Sequence, residues 1–276
     1  MTVRLIQCVG MLLVFLPRRF HLLLSRFIGG IVFMMSPSRV QICKAYLDLL
    51  QCDKDSIHRL KKHMGGLMLE MALWPYWGSR LKKWVKADPL FYQMIQQKNP
   101  VFLTAHIGNW EVGAPFIASH GVKLHCVYKG QGRRSKTYTQ LRKHPMVHMW
   151  EASTQTLGLV KAWMKGGALG LVCDSGHGLK RDMFGHQVDF PSGGFRLAGR
   201  SLSGVYFLWA KRHGLGYVIQ VTELVPPGEK VHYDAIATRY VEALTKAIQS
   251  HPEQYYWRKD PWKVFRHLRK KHRINA

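Results

Sequence analysis

The second half of the chain alternates short apolar runs with longer amphipathic segments. Strand-like apolar runs occupy residues 100–105, 122–128, 168–173, 204–210 and 216–223. Helix-like segments occupy residues 109–119, 135–145, 154–165, 193–201 and 232–250. Strands that alternate with helices along a chain are typical of a sheet covered by helices. The pattern therefore predicts an α/β fold with a central, mostly parallel or mixed sheet.

The residues before this alternation are mainly helical in pattern. Over residues 37–87, apolar side chains recur every three or four positions, as in the series Ile57, Leu60, Met64, Leu67, Met68 and Met71. Asp55 or Ser56 can cap the start of this helix, and the segment 75–78, which contains Pro75 and Gly78, ends it. We find no internal repeat and no flexible linker, so residues 37–276 are predicted to form one domain.

The amino terminus carries two apolar stretches, Leu5 to Pro17 and Leu22 to Met35, separated by Arg18 and Arg19. Neither reaches the ~18 to 20 uncharged residues that a spanning helix needs. We expect residues 1–36 to form a membrane-interface or anchoring helical segment, with Arg18, Arg19 and Arg26 among anionic headgroups. One alternative is an apolar helix that simply packs on the domain, and another is a cleaved signal peptide, although no convincing small-residue cleavage site appears.

The charge balance points to an anionic partner. The chain of 276 residues holds 41 Lys and Arg against 16 Asp and Glu, for a net charge of +25. Nucleic acid, an anionic membrane face, a phosphorylated lipid and an acidic carrier protein all fit such a charge. Residues 257–273 interleave Lys and Arg with Trp and Phe, which predicts a second membrane-surface anchor. The five scattered cysteines, without a CxxC pair, favour reduced thiols over a disulfide framework or a zinc site.

The hexapeptide His106-Ile107-Gly108-Asn109-Trp110-Glu111 is the strongest chemical signal. It follows the apolar run 101–105, so a buried strand delivers His106 to an exposed corner, where catalytic groups often lie. An imidazole there can accept a proton from an alcohol, and a carboxylate can orient the ring and stabilise the imidazolium. We therefore predict His106 as a general base and Glu111 as its carboxylate partner. A structural histidine beside a first-turn acid is the alternative.

Four blocks in order resemble the lipid A late acyltransferases, a branch of the HxxxxD/E acyltransferase superfamily. His106 to Glu111 resembles the family motif HFGNWE, and residues 171–178 with Met183-Phe184-Gly185 resemble its DQxxG…FFG block. Residues 195–198 resemble the helix after that block, and residues 251–257 with 261–263 resemble the PEQ-aromatic-W…RWK ending. The resemblance extends over roughly residues 95–265.

The resemblance implies a reaction, a donor and an acceptor. In that family, the His and the acid activate a lipid hydroxyl, which attacks an acyl thioester on acyl carrier protein at the cytoplasmic face of the bacterial inner membrane. The acceptor it implies is a lipid A-type glycolipid, and no metal or cofactor takes part. One branch transfers glycine from a carrier protein to lipid A instead. The Met-rich helix then has two interpretations, core packing or the lining of an acyl groove.

Departures from the family pattern bear on the substrate. Asp174-Ser175 stands where the family has Asp-Gln, residues 188–194 replace its Ala-x-Thr, and the segment 148–151 lacks its arginine. These positions are expected near the donor and acceptor pockets. A fatty-acyl donor is favoured by family frequency, and a glycyl donor remains open.

Further substrate-binding residues are predicted from their positions along the chain. Asp174 ends an apolar strand, and we expect it to position substrate or to cap a turn. Asn109 lies at the bend after His106, and Arg181 lies where a lipid phosphate or carrier protein can be contacted. Lys129, Arg133 and Arg134 form a compact cationic group that suits phosphate, with a solvated basic loop as the alternative.

A rival hypothesis from another class is a basic nucleic-acid or membrane-surface binding protein with a degenerate catalytic corner. The aromatic and basic carboxyl terminus suits phosphate neutralisation and base stacking. This rival predicts that the basic cluster, not His106, is essential. The acyltransferase interpretation predicts the reverse, and with it no nucleic-acid partner.

Overall fold

The computed structural model describes residue 8 and residues 10–73, 76–77, 81–128 and 144–257. The first part of the chain is helical. It contains α1 (Arg18–Met34), α2 (Pro37–Leu49), α3 (Ser56–Leu73) and the short α4 (Leu81–Trp84). Proline stands at the first position of α2, where its missing N–H is not needed and its fixed φ suits a helix.

A seven-stranded sheet forms the centre of the domain. Its strands are β1 (Val85–Ala87), β2 (Val101–Thr104), β3 (Leu124–Tyr128), β4 (Val147–Glu151), β5 (Ala168–Val172), β8 (Val205–His213) and β9 (Gly216–Val225). The spatial order is β1-β9-β8-β2-β5-β3-β4. All neighbours are parallel except β8 and β9, which form an antiparallel hairpin. β2 is therefore central, and both of its faces are buried.

Helices cover both faces of the sheet. They are α5 (Pro89–Met94), α6 (Trp110–Ala118), α7 (Thr156–Lys165), α8 (Ser192–Ala198) and α9 (Tyr233–Ser250), followed by a 3₁₀ turn at Pro252–Gln254. Because alternate residues of a strand point to opposite faces, Val101 and Leu103 of β2 join one apolar core and Phe102 joins the other. A separate antiparallel hairpin, β6 (Gly178–Met183) with β7 (His186–Pro191), lies between β5 and α8 in the chain.

The predicted fold class is confirmed. Each of the five strand-like runs overlaps a strand of the central sheet, and four of the five helix-like segments overlap α6, α7, α8 and α9. The fifth, 135–145, falls almost entirely outside the described residues. The pattern missed four strands: β1 has three residues, β4 reads VHMWE, and β6 and β7 read GLKRDM and HQVDFP.

Helix α1 is polar on its inner face and apolar on its outer face. The buried side chains include Arg18, His21 and Ser25, which face the domain. Large apolar side chains are exposed on the other side: Phe20, Leu23, Phe27, Ile31 and Met34. The expectation that Arg18 contacts headgroups is wrong, because its guanidinium is buried and bonded to Glu70. Arg19 and Arg26 are exposed, as expected. Among the described residues, we find no helix long and apolar enough to cross a bilayer.

Helices α1 and α3 touch through their backbones. A Cβ atom at Gly29 of α1 would collide with the carbonyl oxygen of Lys61, and one at Gly65 of α3 would collide with that of Ser25. Small residues at a crossing allow helix axes to approach closely, as in helix pairs within membranes. Helix α1 is thus packed directly on α3.

Candidate active site

The turn that carries His106 connects the central strand β2 to helix α6. Gly108 has a φ of +59°, a conformation that glycine adopts without strain. A Cβ atom at this position would also collide with the carbonyl oxygen of Ala210 on β8. The Asn109 N–H donates to that same carbonyl at 2.9 Å, and the Gly108 N–H donates to the carbonyl of Gln254 at 2.9 Å. The turn is therefore clamped between β8 and the segment after α9.

A buried carboxylate that contacts the His106 ring is that of Asp174, at the end of β5. Nδ1 of His106 lies 2.8 Å from Oδ1 of Asp174, and the backbone N–H of His106 donates to Oδ2 at 2.9 Å. β2 and β5 are parallel neighbours with Thr104 opposite Val172, so the residues just beyond their carboxyl ends meet at one edge of the sheet. The side chain of His106 is 25% exposed, whereas that of Asp174 is 3% exposed.

Asp174 is held in its ionised form. Burial alone would raise the pKa of this carboxyl. The charge of His106 and the hydrogen bonds from His106 and Tyr255 outweigh burial, and the pKa is lowered. The Tyr255 hydroxyl donates to Oδ2 at 3.1 Å. An ionised Asp174 can only accept, so Nδ1 of His106 carries a proton and Nε2 is the basic nitrogen of the neutral ring.

Glu111 lies in the first turn of α6, on the wall of the same cavity as His106. Its Oε1 accepts a hydrogen bond from the Trp110 indole at 3.0 Å. The rings of Trp110 and Tyr256 pack on that of His106, with centroid distances of 5.0 and 6.2 Å. The structure therefore brings the two predicted catalytic residues to one surface, with Asp174 at Nδ1 of the imidazole.

Asn109 is buried beneath the turn, and it is not among the residues that line the cavity. Its Oδ1 accepts from the Glu111 N–H at 3.1 Å, which makes it the N-cap of α6, and its Nδ2 donates to Glu70 at 2.9 Å. This placement differs from the prediction that Asn109 binds substrate. Its side chain is engaged in holding the turn.

The cavity beside His106 is large and mainly apolar. It has a volume of about 1440 Å³ and extends between α3, the sheet, α7 and α8. From α3 it is lined by Met64, Leu67, Met68 and Met71. The Met-rich stripe of this helix thus lines a groove as well as contributing to the core. Cys173 also lines the cavity, but burial raises the pKa of its thiol, so it is a poor nucleophile at neutral pH.

Three cationic side chains lie on the cavity wall: Lys161 of α7, and Arg196 and Arg200 in and after α8. In the part of the chain that the structure describes, no carboxylate forms an ion pair with any of them. Arg181, by contrast, is not on this wall, because its guanidinium is paired with Asp234 at the start of α9. Lys129, Arg133 and Arg134 lie outside the described residues, as does the basic segment from residue 258 onward.

Two functional features were missed by sequence reasoning. Asp174 was expected to position substrate or cap a turn, and its contact with His106 depends on two strands brought together by the fold. The cavity cations Lys161 and Arg200 lie outside the family-like blocks, and Arg196 lies within the block 195–198 but was not singled out as a site residue. Among the described residues, no group of three His, Cys, Asp or Glu side chains is arranged to hold a metal ion.

Curated proteins gave no significant match to the chain. The sequence model of the family described as bacterial lipid A biosynthesis acyltransferase matches residues 1–264. That match includes every helix and strand described above, the His106 turn and the cavity. The chain therefore belongs to the bacterial lipid A biosynthesis acyltransferase family.

Proposed function

We propose that the protein transfers a fatty acyl group from a carrier-protein thioester to a hydroxyl of a lipid A-type acceptor, at the cytoplasmic face of the bacterial inner membrane. The observation that carries the proposal is a His106–Asp174 pair at the wall of an apolar cavity of about 1440 Å³. Family membership supports acyl transfer in lipid A biosynthesis in general. The donor, the site residues and the location are our inferences from the His106 turn, the cavity and the outer face of α1.

His106 acts as the general base in this proposal. Asp174 accepts the Nδ1 proton, so the lone pair on Nε2 takes the proton of the acceptor hydroxyl as its oxygen attacks the thioester carbonyl. The tetrahedral intermediate then collapses to an ester. The carbon–sulfur bond breaks, and the imidazolium returns its proton to the departing thiolate. The products are the acylated lipid and the free thiol of the carrier protein, and the step needs no other reactant.

Glu111 retains the catalytic role predicted for it, in a modified form. Because Asp174 contacts Nδ1, we infer that the Glu111 carboxylate stabilises the positive charge of the imidazolium from another side of the cavity wall. Backbone N–H groups of Ser175 and Gly176, which directly follow Asp174 and line the cavity, are our candidates for stabilising the oxyanion.

The cavity favours a fatty-acyl donor. Its wall is built mainly from aliphatic, Met and aromatic side chains, including Leu67, Leu159 and Leu208. A long hydrocarbon chain gains roughly 0.8 kcal/mol per buried CH₂ group in such a site. A glycyl group is far smaller and carries an ammonium, which an apolar wall would desolvate without compensation.

Glycyl transfer to lipid A is the second candidate. It is supported by the fact that Ser175, Pro191, Gly193 and Gly194, all within blocks that depart from the family pattern, line the cavity. These residues change the shape and polarity of one cavity wall. If glycine is the group transferred, the apolar cavity would hold an acyl chain of the lipid acceptor.

The cavity cations suggest how a phosphorylated substrate is recognised. Lys161, Arg196 and Arg200 lie on the wall of the cavity that His106 also lines. Lipid A-type acceptors and the pantetheine arm of a carrier protein both present phosphate, which guanidinium groups bind with charge-assisted hydrogen bonds. We infer that these three residues, together with the predicted group Lys129, Arg133 and Arg134, bind substrate phosphate.

The outer face of α1 supports attachment to a membrane surface. Phe20, Leu23 and Phe27 are 55, 61 and 67% exposed and lie on one side of the helix, with Arg19 and Arg26 also exposed. A helix with this distribution gains free energy by burying its apolar face at the headgroup boundary of an anionic bilayer. The acceptor, being a lipid, would then be available to the bound enzyme.

Mass spectrometry of lipid A tests the proposal. Lipid A would be extracted from a Gram-negative host that expresses the wild type, His106→Ala or no enzyme. A gain of one fatty-acyl mass that requires His106 is expected, and a gain of one or two glycine units would select the second candidate. The purified enzyme would then be given acyl- and glycyl-carrier proteins side by side. No difference among the three hosts and no transfer from either donor would refute both.

A further inference from the structure

A buried ionic cluster lies beneath the His106 turn. Glu70 of α3 is 3% exposed and accepts two hydrogen bonds from Arg212 of β8, at 2.8 and 2.6 Å. It accepts a third from Arg18 of α1 at 2.6 Å and a fourth from Asn109 at 2.9 Å. One carboxylate therefore joins the amino-terminal helix, a central strand and the catalytic turn.

The cluster sets one carboxylate against two guanidinium groups, and Nη1 of Arg18 is buried without a hydrogen-bond partner among the described residues, so the cluster is costly to bury. Burial would raise the pKa of Glu70, and the two guanidinium groups outweigh it and lower the pKa to about 2. The second positive charge lies over aromatic rings, with the Arg18 guanidinium carbon 5.1 Å from the Trp77 centroid and 5.4 Å from that of Trp84. Apolar residues in place of a buried ionic cluster often give equal or greater stability. Besides its effect on stability, the cluster joins three elements at defined positions.

Glu70 fixes the orientation of the Asn109 amide. The carboxylate can only accept, so it must face Nδ2, and Oδ1 is then directed to the Glu111 N–H at the start of α6. Tyr217 of β9 supports the same orientation, because Nδ2 lies 3.2 Å from its hydroxyl. Asn109 follows His106 by three positions and precedes Glu111 by two. The orientation of this amide thus sets where both catalytic residues lie.

Arg212 extends the cluster to the other side of His106. Its backbone N–H donates to Oε1 of Gln254 at 2.8 Å, and Nε2 of Gln254 donates to its carbonyl at 3.2 Å. The next residues are Tyr255, which holds Asp174, and Tyr256, whose N–H donates to the His106 carbonyl at 2.8 Å. Both flanks of the imidazole are therefore tied to the strand that carries Arg212.

We propose that Glu70 is a positioning residue of the active site, and that Arg18 makes the amino-terminal helix part of the same framework. Glu70 acts through Asn109 on the His106 turn, so α1 contributes to turnover and not only to attachment. The inference rests on the proposed acyl transfer, since turnover is its main readout.

A double-mutant cycle between Glu70 and Asn109 tests the proposal. Full-length wild type, Glu70→Gln, Asn109→Ala and the double variant would be assayed for kcat and KM, with melting temperatures as a check on folding. We expect each single variant to lose on the order of 10²-fold in kcat, because small misplacements at a reacting centre have effects of this size, with little change in KM. The double variant should lose no more than the worse single variant.

Amide hydrogen exchange over residues 106–111 gives a second readout that does not depend on activity. Exchange there should accelerate in Glu70→Gln. Wild-type kcat together with wild-type exchange in that variant, or losses that multiply in the double variant, would overturn the inference. An inactive wild type would instead refute the proposed function, and the exchange data would still decide the inference.

Two matched Arg→Met variants test the inference independently, in case Glu70→Gln does not fold. Arg18→Met removes the buried cation and leaves the Glu70–Arg212 contacts in place. Arg59→Met removes a surface cation of α3 that pairs with Asp53. We expect Arg18→Met alone to lower kcat and to accelerate exchange at 106–111. Equal kcat and exchange in the two variants would exclude a catalytic contribution of α1.

Discussion

Nδ1 of His106 lies 2.8 Å from Oδ1 of Asp174, which follows it by 68 residues in the chain. The two side chains meet because β2 and β5 are adjacent parallel strands whose carboxyl ends share an edge of the sheet. The hydroxyl of Tyr255, in the segment after α9, donates a hydrogen bond to the same Asp174 carboxylate. The imidazole is thus oriented by a buried carboxylate, the arrangement that acyl-transfer enzymes use to keep a basic nitrogen directed at substrate.

Removing the charge of Asp174 should impair catalysis strongly. In Asp174→Asn the amide no longer fixes the proton on Nδ1, so we expect kcat to fall roughly 100- to 10,000-fold. Asp53→Asn, which alters an exposed carboxylate, serves as the control. Steady-state kinetics on folded protein measure both. If Asp174→Asn kept full activity while Glu111→Gln lost it, Glu111 would be the carboxylate that serves His106.

Acid should destabilise the protein through Glu70. The pKa of Glu70 in the folded protein is lowered from an ordinary 4.5 to about 2. The stability that this carboxylate contributes is therefore fully present above pH 4.5 and is lost as the pH falls towards 2. The shift corresponds to on the order of 3 kcal/mol at neutral pH. Glu70 is faced by Arg18, Arg212 and Tyr217, and by His63 through Arg212.

Urea unfolding at a series of pH values measures this loss. Burial and Arg212 lower the folded pKa of His63 to about 3. The free energy of unfolding therefore also falls through His63 as the pH drops below about 6.5. In Glu70→Gln the decline below pH 4.5 should be shallower than in the wild type. Parallel curves for the two proteins over that interval would show that Glu70 is not the group responsible.

Filling the cavity should shorten the donor chain that the enzyme accepts. Met71 of α3 lines the cavity, and Met71→Trp would place a larger ring in it. We expect transfer of long acyl chains to fall on the order of 10-fold relative to short ones. Met164→Trp, on an exposed position of α7, is the matched control. An unchanged chain-length profile would mean that the donor lies elsewhere.

Lys161 and Lys165 offer a paired test of phosphate recognition on one helix. Both are exposed, but only Lys161 lines the cavity. Lys161→Gln should raise KM for the phosphorylated substrate roughly 3- to 10-fold by loss of one charge-assisted contact, with kcat nearly unchanged. Lys165→Gln should leave both constants as they are. Equal KM values in the two variants would exclude Lys161 from the phosphate site.

Attachment to membranes should depend on the outer face of α1. Phe27→Asp removes an exposed aromatic ring and adds a negative charge, so binding to vesicles with anionic lipid should weaken about 10-fold or more. Leu202→Asp makes the same kind of change at another exposed position, 60% accessible. Vesicle sedimentation measures both. Comparable losses in the two variants would argue against a specific role of α1.

Much of the fold was predictable because its strands are apolar and its helices amphipathic. The hairpin β6–β7 escaped prediction because its residues alternate in exposure outside the main sheet and include several charged side chains. Val85–Ala87 is too short to show any period. His106 was found because a buried strand leads directly to it.

The remaining parts of the site depend on contacts between distant segments. The pairing of Asp174 with His106 had one available signal: each follows an apolar strand by a residue or two, and parallel strands end at the same edge. Glu70 had a weaker one, as a single acid within the apolar stretch 67–73. Neither signal identifies its partner, because strand order and helix rotation are set by packing of the whole core.

If the protein attaches to a bilayer through α1 as proposed, the backbone contact between α1 and α3 also determines how it is oriented there. Gly29 and Gly65 leave no room for a side chain at the crossing, so α1 has a single rotational setting relative to the sheet. If the apolar face of α1 lies in the plane of the membrane surface, the fold fixes the distance between His106 and that surface. The depth from which a hydroxyl must rise to be acylated would then be set at the crossing of α1 with the helix that lines the cavity.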